Sequence, residues 1–243
     1  MPTKTIPDSS ATFASMENKP LNKFEGGCVI LIDKPLQWTS FDVIKKIRYL
    51  IKVKKVGHAG TLDPLASGLL IICTGKFTKK INEYMSQEKE YTGSFTLGAV
   101  TPTYDLESDP VDFKSIELIT PEMIHQATTL FTGEILQMPP VHSAIKIKGK
   151  RVYEMARRGE EVILEPRKIL ISVFEITGIA LPLVNFRVVC TTGTYIRSLA
   201  FDFGKALGCG AYLSSLCRTR IGAYRLEDAL SIEAFEEKIR STS

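Results

Sequence analysis

The stretch Val56-Gly57-His58-Ala59-Gly60-Thr61-Leu62-Asp63-Pro64-Leu65-Ala66-Ser67-Gly68 runs straight into Leu69-Leu70-Ile71-Ile72-Cys73. Gly57, Gly60 and Gly68 permit backbone turns that other residues resist. Pro64 removes a donor and biases Asp63 away from the helical region. Asp63 therefore lies on a constrained connection, between a basic helix before it and an apolar strand after it. In a turn, such an aspartate often does no more than cap neighbouring N–H groups. The length of this loop, His58 within it and the basic sequence before it favour a site.

Upstream of the loop, Thr39 or Ser40 can cap a helix whose first turn takes Asp42. Residues 43, 44, 47, 50 and 51 give that helix one apolar face. Lys45, Lys46, Arg48, Lys52, Lys54 and Lys55 make a local positive field that the net charge of +4 conceals. A solvated face and a phosphate-facing one both fit; the nearby Asp63 loop favours the second. Further upstream, Cys28 to Ile32 is a continuous apolar run, which reads as a central strand. Residues 1–25 mix Ser, Thr, Pro, Asn and Lys without periodicity and read as a flexible tail.

Downstream, Thr78 to Met85 reads as a short helix. Tyr91, Phe95 and Leu97 alternate with polar residues as in a half-buried strand. Tyr91 at its mouth suits either a core tyrosine or one that stacks on a nucleobase. Thr120-Pro121-Glu122 opens a helix to about Phe131. Met138-Pro139-Pro140 ends regular structure. A basic excursion follows, with Lys146 and Lys148 alternating with Ile145 and Ile147, a turn at Gly149-Lys150 and a short helix from Arg151 to Arg158. Ile169–Ile176 and Leu183–Thr191 read as paired strands. Ile196, Leu199, Ala200, Phe203 and Leu207 then recur at helical spacing, and Gly208 stops that helix. Arg197 in its first turn opposes the helix dipole, so an acidic partner is expected.

Strands and helices in this arrangement give an α+β class in one large domain. The composition, 44% hydrophobic and 24% charged, is that of a soluble protein. Five cysteines, at 28, 73, 190, 209 and 217, form no Cys-x-x-Cys pair and read as reduced thiols. Three histidines give no metal spacing, and no nucleotide-phosphate loop or Rossmann glycine pattern is present. Neither a signal segment nor an apolar run long enough for a membrane span is visible, so a cytoplasmic protein without a membrane partner is expected.

The Gly57-His58-x-Gly60-x-Leu62-Asp63-Pro64 pattern resembles the catalytic motif of the TruB-type bacterial tRNA pseudouridine synthases. The resemblance extends over about residues 26–235. It includes Lys34-Pro35, Lys89-Glu90-Tyr91, Thr101-Pro102-Thr103-Tyr104-Asp105, Pro139-Pro140-x-His142-Ser143-Ala144 and Gly193-Thr194-Tyr195-Ile196-Arg197. Pro102 and Tyr104 depart from the family's threonine-x-threonine-x-aspartate segment.

The resemblance implies a pseudouridine synthase fold, a mixed and largely antiparallel sheet flanked by helices and loops. It implies isomerisation of uridine 55 in the tRNA T-loop without cofactor or metal, and a monomer with no obligate protein partner. Asp63 would be the catalytic carboxylate and Arg197 its partner. Tyr91 would stack on the uracil, Tyr195 would lie against the target base, and Leu216 would line the pocket. His58, Asp105 and Lys34 would complete the substrate site. Lys45, Lys46 and Lys52, with Lys146, Lys148 and Lys150, would face RNA. The expected organisation is a tail over 1–25 and one catalytic domain over 26–243, with an RNA-gripping insertion at about 134–167. The small C-terminal RNA-binding domain of many relatives is expected to be absent. Rival readings are a synthase aimed at another uridine, a glycosidic enzyme, which normally needs two carboxylates about one bond, and a catalytically silent RNA-binding protein.

Overall fold

A computed structural model describes residues 23–140, 146–147, 150–151 and 164–241. In chain order the elements are α1 (Lys23–Gly26), β1 (Val29–Lys34), α2 (Ser40–Ile51), β2 (Val56–His58) and β3 (Ala66–Thr74). A 3-10 turn at Gly75–Lys80 leads to α3 (Ile81–Met85), β4 (Lys89–Leu97), α4 (Pro121–Thr128) and β5 (Gly133–Gln137). Then come β6 (Lys146–Ile147), β7 (Lys150–Arg151), β8 (Arg167–Ala180), β9 (Leu183–Cys190), α5 (Ile196–Ala206), β10 (Ala211–Ile221), β11 (Tyr224–Arg225) and α6 (Ile232–Arg240).

The main sheet has the order β1-β3-β10-β4-β9-β8-β5, with β2 added to β3 and β11 to β10. Its pairs are antiparallel except one. β10 runs parallel to β3 through Leu216↔Ala66, Cys217↔Ser67 and Arg218↔Gly68. This is the α+β, mixed-sheet architecture expected from the sequence. The short parallel seam joins the β1–β3 part of the sheet to the larger antiparallel part.

α2 forms where its signals say it should. Thr39 caps it, accepting from the Asp42 N–H while the Asp42 carboxylate accepts from the Thr39 N–H. Val43, Ile44, Ile47 and Ile51 are buried against Ile30, Ile32, Leu70 and Ile72 of β1 and β3. α6 closes the same layer with Ile232 and Phe235. On the far part of the sheet, α4 and α5 cover a larger core built around Phe95, Phe174, Phe186 and Phe203.

Three sequence expectations change here. β1 is a terminal strand of the sheet, not a central one. Its apolar run reflects two covered faces, with Ile30 and Ile32 in one core and Val29 and Leu31 against another. Its outer edge is closed by Leu230, which bonds to Asp33 and Leu31 through the backbone. The end of the tail expected over 1–25 is instead ordered: Lys23–Gly26 is helical, and Phe24 is buried beside Phe235 with ring centroids 6.4 Å apart. Finally, residues 134–137 belong to the main sheet, pairing with Arg167–Leu170. The basic excursion therefore starts after Gln137. Residues 1–22 and the expected helix at Arg151–Arg158, apart from Arg151 itself, lie outside the described residues.

Candidate active site

Three distant segments meet at one guanidinium. Arg197 comes from the first turn of α5, Asp63 from the β2–β3 loop, and Asp105 from a segment bridged to Leu213 of β10. Arg197 Nε lies 3.0 Å from Asp63 Oδ2 and 3.6 Å from Asp105 Oδ2. Its Nη1 donates to the Thr103 carbonyl at 3.5 Å. Arg197 and Asp105 are buried, whereas the Asp63 side chain keeps 39% of its surface. The acidic partner expected from the arginine's place in the helix is thus present twice, and Asp63 is the carboxylate open to a ligand.

The loop around Asp63 is fixed from three sides. The Ser40 hydroxyl donates to the Leu62 carbonyl and accepts from the Leu62 N–H, at 3.1 and 2.9 Å. The Gln37 N–H donates to the Pro64 carbonyl at 2.8 Å. Arg218 works from beneath: Nε donates to the Leu69 carbonyl at 2.8 Å, Nη2 to Gly60 at 3.2 Å and Nη1 to Thr61 at 3.5 Å. Its side chain is fully buried. Gly68 is required where β10 comes this close. Its φ is +100°, and a Cβ there would sit 2.4 Å from the Arg218 carbonyl oxygen.

Two clefts meet at Asp63 and Leu216. The larger, about 410 Å³, is lined by Tyr91, Tyr195, Arg197, Lys89 and Arg218 among others. The smaller, about 140 Å³, lies on the other side of Asp63 between Leu36, Gln37, Leu65, Leu106 and Ser214. Tyr91 is partly buried, and burial pushes its phenol above its ordinary range, against the opposing pull of the Arg218 guanidinium. Tyr195 is held through its backbone. Its N–H donates to Gln137 Oε1 at 2.8 Å and its carbonyl accepts from Gln137 Nε2 at 3.0 Å.

Two buried lysines flank this arrangement. Lys34 Nζ donates to the carbonyls of Trp38 at 2.6 Å and Pro35 at 2.9 Å. Burial pulls its pKa down to about 8, against the opposing attraction of Asp63. Lys34 thus ties together the turn before α2. Lys89 Nζ donates to the carbonyls of Gln87 and Met85, and burial pulls its pKa to about 8 as well.

The remaining expected residues are distributed differently. His58 on β2 is partly buried, its buried Nδ1 has no hydrogen-bond partner among the described residues, and burial lowers its pKa. It does not line either cleft at Asp63. Lys45 lies 3.3 Å from Asp42 and over the Phe41 ring, while Lys46 is 2.6 Å from Glu236 on α6. Lys52 is the exposed C-cap of α2. The backbones of Lys146 and Lys150 belong to the β6–β7 pair, and Lys148 lies outside the described residues.

Arg218 and Gln137 were not foreseen in these roles. From the sequence, Arg218 and Arg220 alike suit a sheet edge or RNA. A register shift between Arg218 and Arg220 separates the two, so that Arg218 is buried while Arg220 pairs with Glu88 at 2.9 Å. The local sequence around Gln137 carries no signal of its contact with a backbone 58 residues away.

Comparison with known proteins completes the description. Residues 48–196 match the TruB family pseudouridylate synthase (N terminal domain), and residues 197–242 match the tRNA pseudouridylate synthase B C-terminal domain. The second match corrects the expectation that a C-terminal domain is absent. The matched residues include β10, in the middle of the sheet, and α6, packed on α2. They form no appended module that a change in composition would announce. The chain is 55% identical to a tRNA pseudouridine synthase B of Flavobacterium johnsoniae over 88% of this chain and 96% of the relative. It is 51% identical to one of Phocaeicola vulgatus over 88% and 94%. Among solved structures, it superimposes on a chain of a Cbf5-Nop10-Gar1 complex with a TM-score of 0.69 at 32% identity, covering 88% of this chain and 54% of that one. A chain of an H/ACA RNP bound to a substrate RNA containing 2'-deoxyuridine gives 0.66 at 28% identity, with 91% and 56% covered. The chain thus spans about half the length of those solved chains.

Proposed function

The chain belongs to the TruB family and is an isomerase of the tRNA pseudouridine synthase B type, and from that premise we propose that it converts uridine 55 in the T-loop of tRNA to pseudouridine with Asp63 as its catalytic carboxylate. The observation that carries this reading is the placement of Asp63. It is the accessible member of the Asp63–Arg197–Asp105 cluster, and it stands on the shared wall of two clefts.

The reaction breaks the N-glycosidic bond, turns the uracil while it is held, and joins C5 to the ribose C1′. C5 gives up a proton and N1 gains one, so the composition is unchanged and no cofactor is required. The target nucleotide leaves its stack and enters the larger cleft, where Tyr91 and Tyr195 present aromatic faces to a planar base. Asp63 supplies a nucleophile or a base at the edge of that cleft. Arg197 fixes its orientation, and the charge-assisted contact is of the short, directional kind. Leu216 gives the base an apolar wall.

The same reading takes tRNA as the macromolecular partner and the chain as a cytoplasmic monomer. Among the described residues, no helix is long and apolar enough to cross a membrane. Lys45 on α2 and Lys52 at its C-cap, with the basic excursion around Lys146, Lys148 and Lys150, grip phosphates. Lys46 contributes less, because its charge is matched by Glu236.

The test is a turnover assay on tRNA transcripts carrying uridine or cytidine at position 55, with the wild type and Asp63→Asn. The wild type should form pseudouridine on the uridine transcript. The Asn variant should fold, bind the T-arm and form none. Product from the Asn variant would remove Asp63 from the mechanism. Wild-type activity at another uridine alone would overturn the substrate.

A further inference from the structure

Tyr104 is a bulky residue in a backbone conformation that L-residues avoid, with φ of 65°. It stands between Thr103, whose carbonyl accepts from Arg197, and Asp105, whose carboxylate faces Arg197. A left-handed residue there turns both groups toward the same guanidinium. Something must hold this strained turn in place. Part of the restraint is backbone pairing: the Tyr104 N–H donates to the Thr101 carbonyl at 3.1 Å, and the Leu213 N–H donates to the Tyr104 carbonyl at 2.9 Å.

The rest is a ring stack. Tyr104 lies on Phe201 of α5, with centroids 4.3 Å apart and planes inclined by 21°. Phe201 follows Arg197 by four residues, so both project from the same face of α5 on successive turns. α5 therefore grips the turn at two points, through the guanidinium and through the ring one turn further on. The stack sets the spacing between helix and turn, and that spacing sets how Asp105 meets Arg197. Arg197 in turn holds Asp63 at 3.0 Å.

We propose that Tyr104, stacked on Phe201, is a positioning residue for the isomerisation, acting on Asp63 through Asp105 and Arg197. This inference rests on the proposed role of Asp63. Tyr104 lines neither cleft at Asp63, so its effect runs through the geometry of Asp105 and Arg197.

The test uses the full chain and a T-arm transcript, with kcat and KM measured separately. Tyr104→Gly accepts the same backbone but lacks the ring; it should lower kcat about 10- to 100-fold, the scale of a small misplacement of a reacting group, with little change in KM. Tyr104→Phe keeps the ring and should restore most of the turnover. Made in an Arg197→Lys background, Tyr104→Gly should cause much less further loss, because the two act along one route. Wild-type kcat in Tyr104→Gly, an equal loss in Tyr104→Phe, or full additivity with Arg197→Lys would each overturn the proposal. So would a loss of melting temperature that accounts for the lost activity. Asp63→Asn is assayed alongside. If it remains active, the reading of the site fails; if it is dead while Tyr104→Gly is normal, the positioning role alone fails.

Discussion

Arg197 Nε stands 3.0 Å from Asp63 Oδ2, and the arginine is almost wholly buried while the aspartate is not. This asymmetry makes the arginine a fixed support and leaves the carboxylate to meet a ligand. Asp105, on the buried side at 3.6 Å, shares the guanidinium.

Removing the charge of Asp105 should therefore be felt at Asp63. Asp105→Asn leaves the buried guanidinium with less compensation, a loss on the order of 1–3 kcal/mol in stability. Turnover should drop along with it, while binding of T-arm RNA should be nearly unchanged. Arg197→Lys keeps a charge but loses the planar fork, and should be impaired more severely. Chemical denaturation and single-turnover kinetics on the same samples separate the two effects.

Arg218 should matter as a brace. Its three carbonyl acceptors, on Gly60, Thr61 and Leu69, would be left without that donor in Arg218→Met. A buried carbonyl left unsatisfied, as at Leu69, costs about 1–3 kcal/mol, and the partly exposed carbonyls of Gly60 and Thr61 cost less. The expected result is a lower melting temperature together with faster amide exchange over residues 59–69. Normal exchange in that loop would show that Ser40 and Gln37 suffice to hold it.

For Tyr91, the ring and the hydroxyl can be separated. Tyr91→Phe keeps the stacking surface but loses the hydroxyl, which the Arg218 charge influences. It should bind substrate almost as well as the wild type, whereas Tyr91→Ala should lose most turnover, since stacking a base contributes roughly 1–3 kcal/mol. Equal losses in the two variants would place the role on the hydroxyl; no loss in either would make Tyr91 a sheet residue.

The pH dependence follows from Lys34 and Lys89, both pulled by burial from an ordinary 10.5 to about 8. Above about pH 8 the folded protein loses ammonium charge on either side of the site, so kcat/KM should fall on an alkaline limb near that value. Lys34→Met should give a lower and flatter profile. The stability effect has the opposite sign. The folded state bears the cost of burying both ammonium groups below pH 8. Between about 8 and 10.5 the unfolded chain binds more protons than the folded one, so stability from these two groups rises with pH across that window. Melting temperatures of the wild type and Lys34→Met across that window would show the difference.

How far the sequence can be read depends on whether a residue's role is local. The Thr39 cap, the face of α2 and the Pro121 start of α4 follow from neighbours within a turn or two, and all are found in the structure. Arg197 was legible because a cation at a helix N-terminus demands compensation, and that compensation is there. Arg218 was not, because a bulge between residues 218 and 220 interrupts the alternation from which its direction would be read. Gln137 was hidden for a related reason, since its acceptor and donor belong to the backbone of Tyr195. β1 was misplaced because burial of both faces gives the same apolar run as a place between two neighbours. The C-terminal match went unforeseen because its residues are threaded through the sheet.

The three-residue parallel seam between β3 and β10 also orders events during synthesis. The Asp63 loop leaves the ribosome early, but Arg218, which closes it from beneath, follows Leu69 by 149 residues and Gly60 by 158. Contacts so distant along the chain form late, after a large loop has been closed. A nascent chain halted before Arg218 therefore carries Asp63 without its brace, however completely α2 and β3 have assembled. On the proposed reading, the site is completed only when nearly the last part of the sheet has been translated.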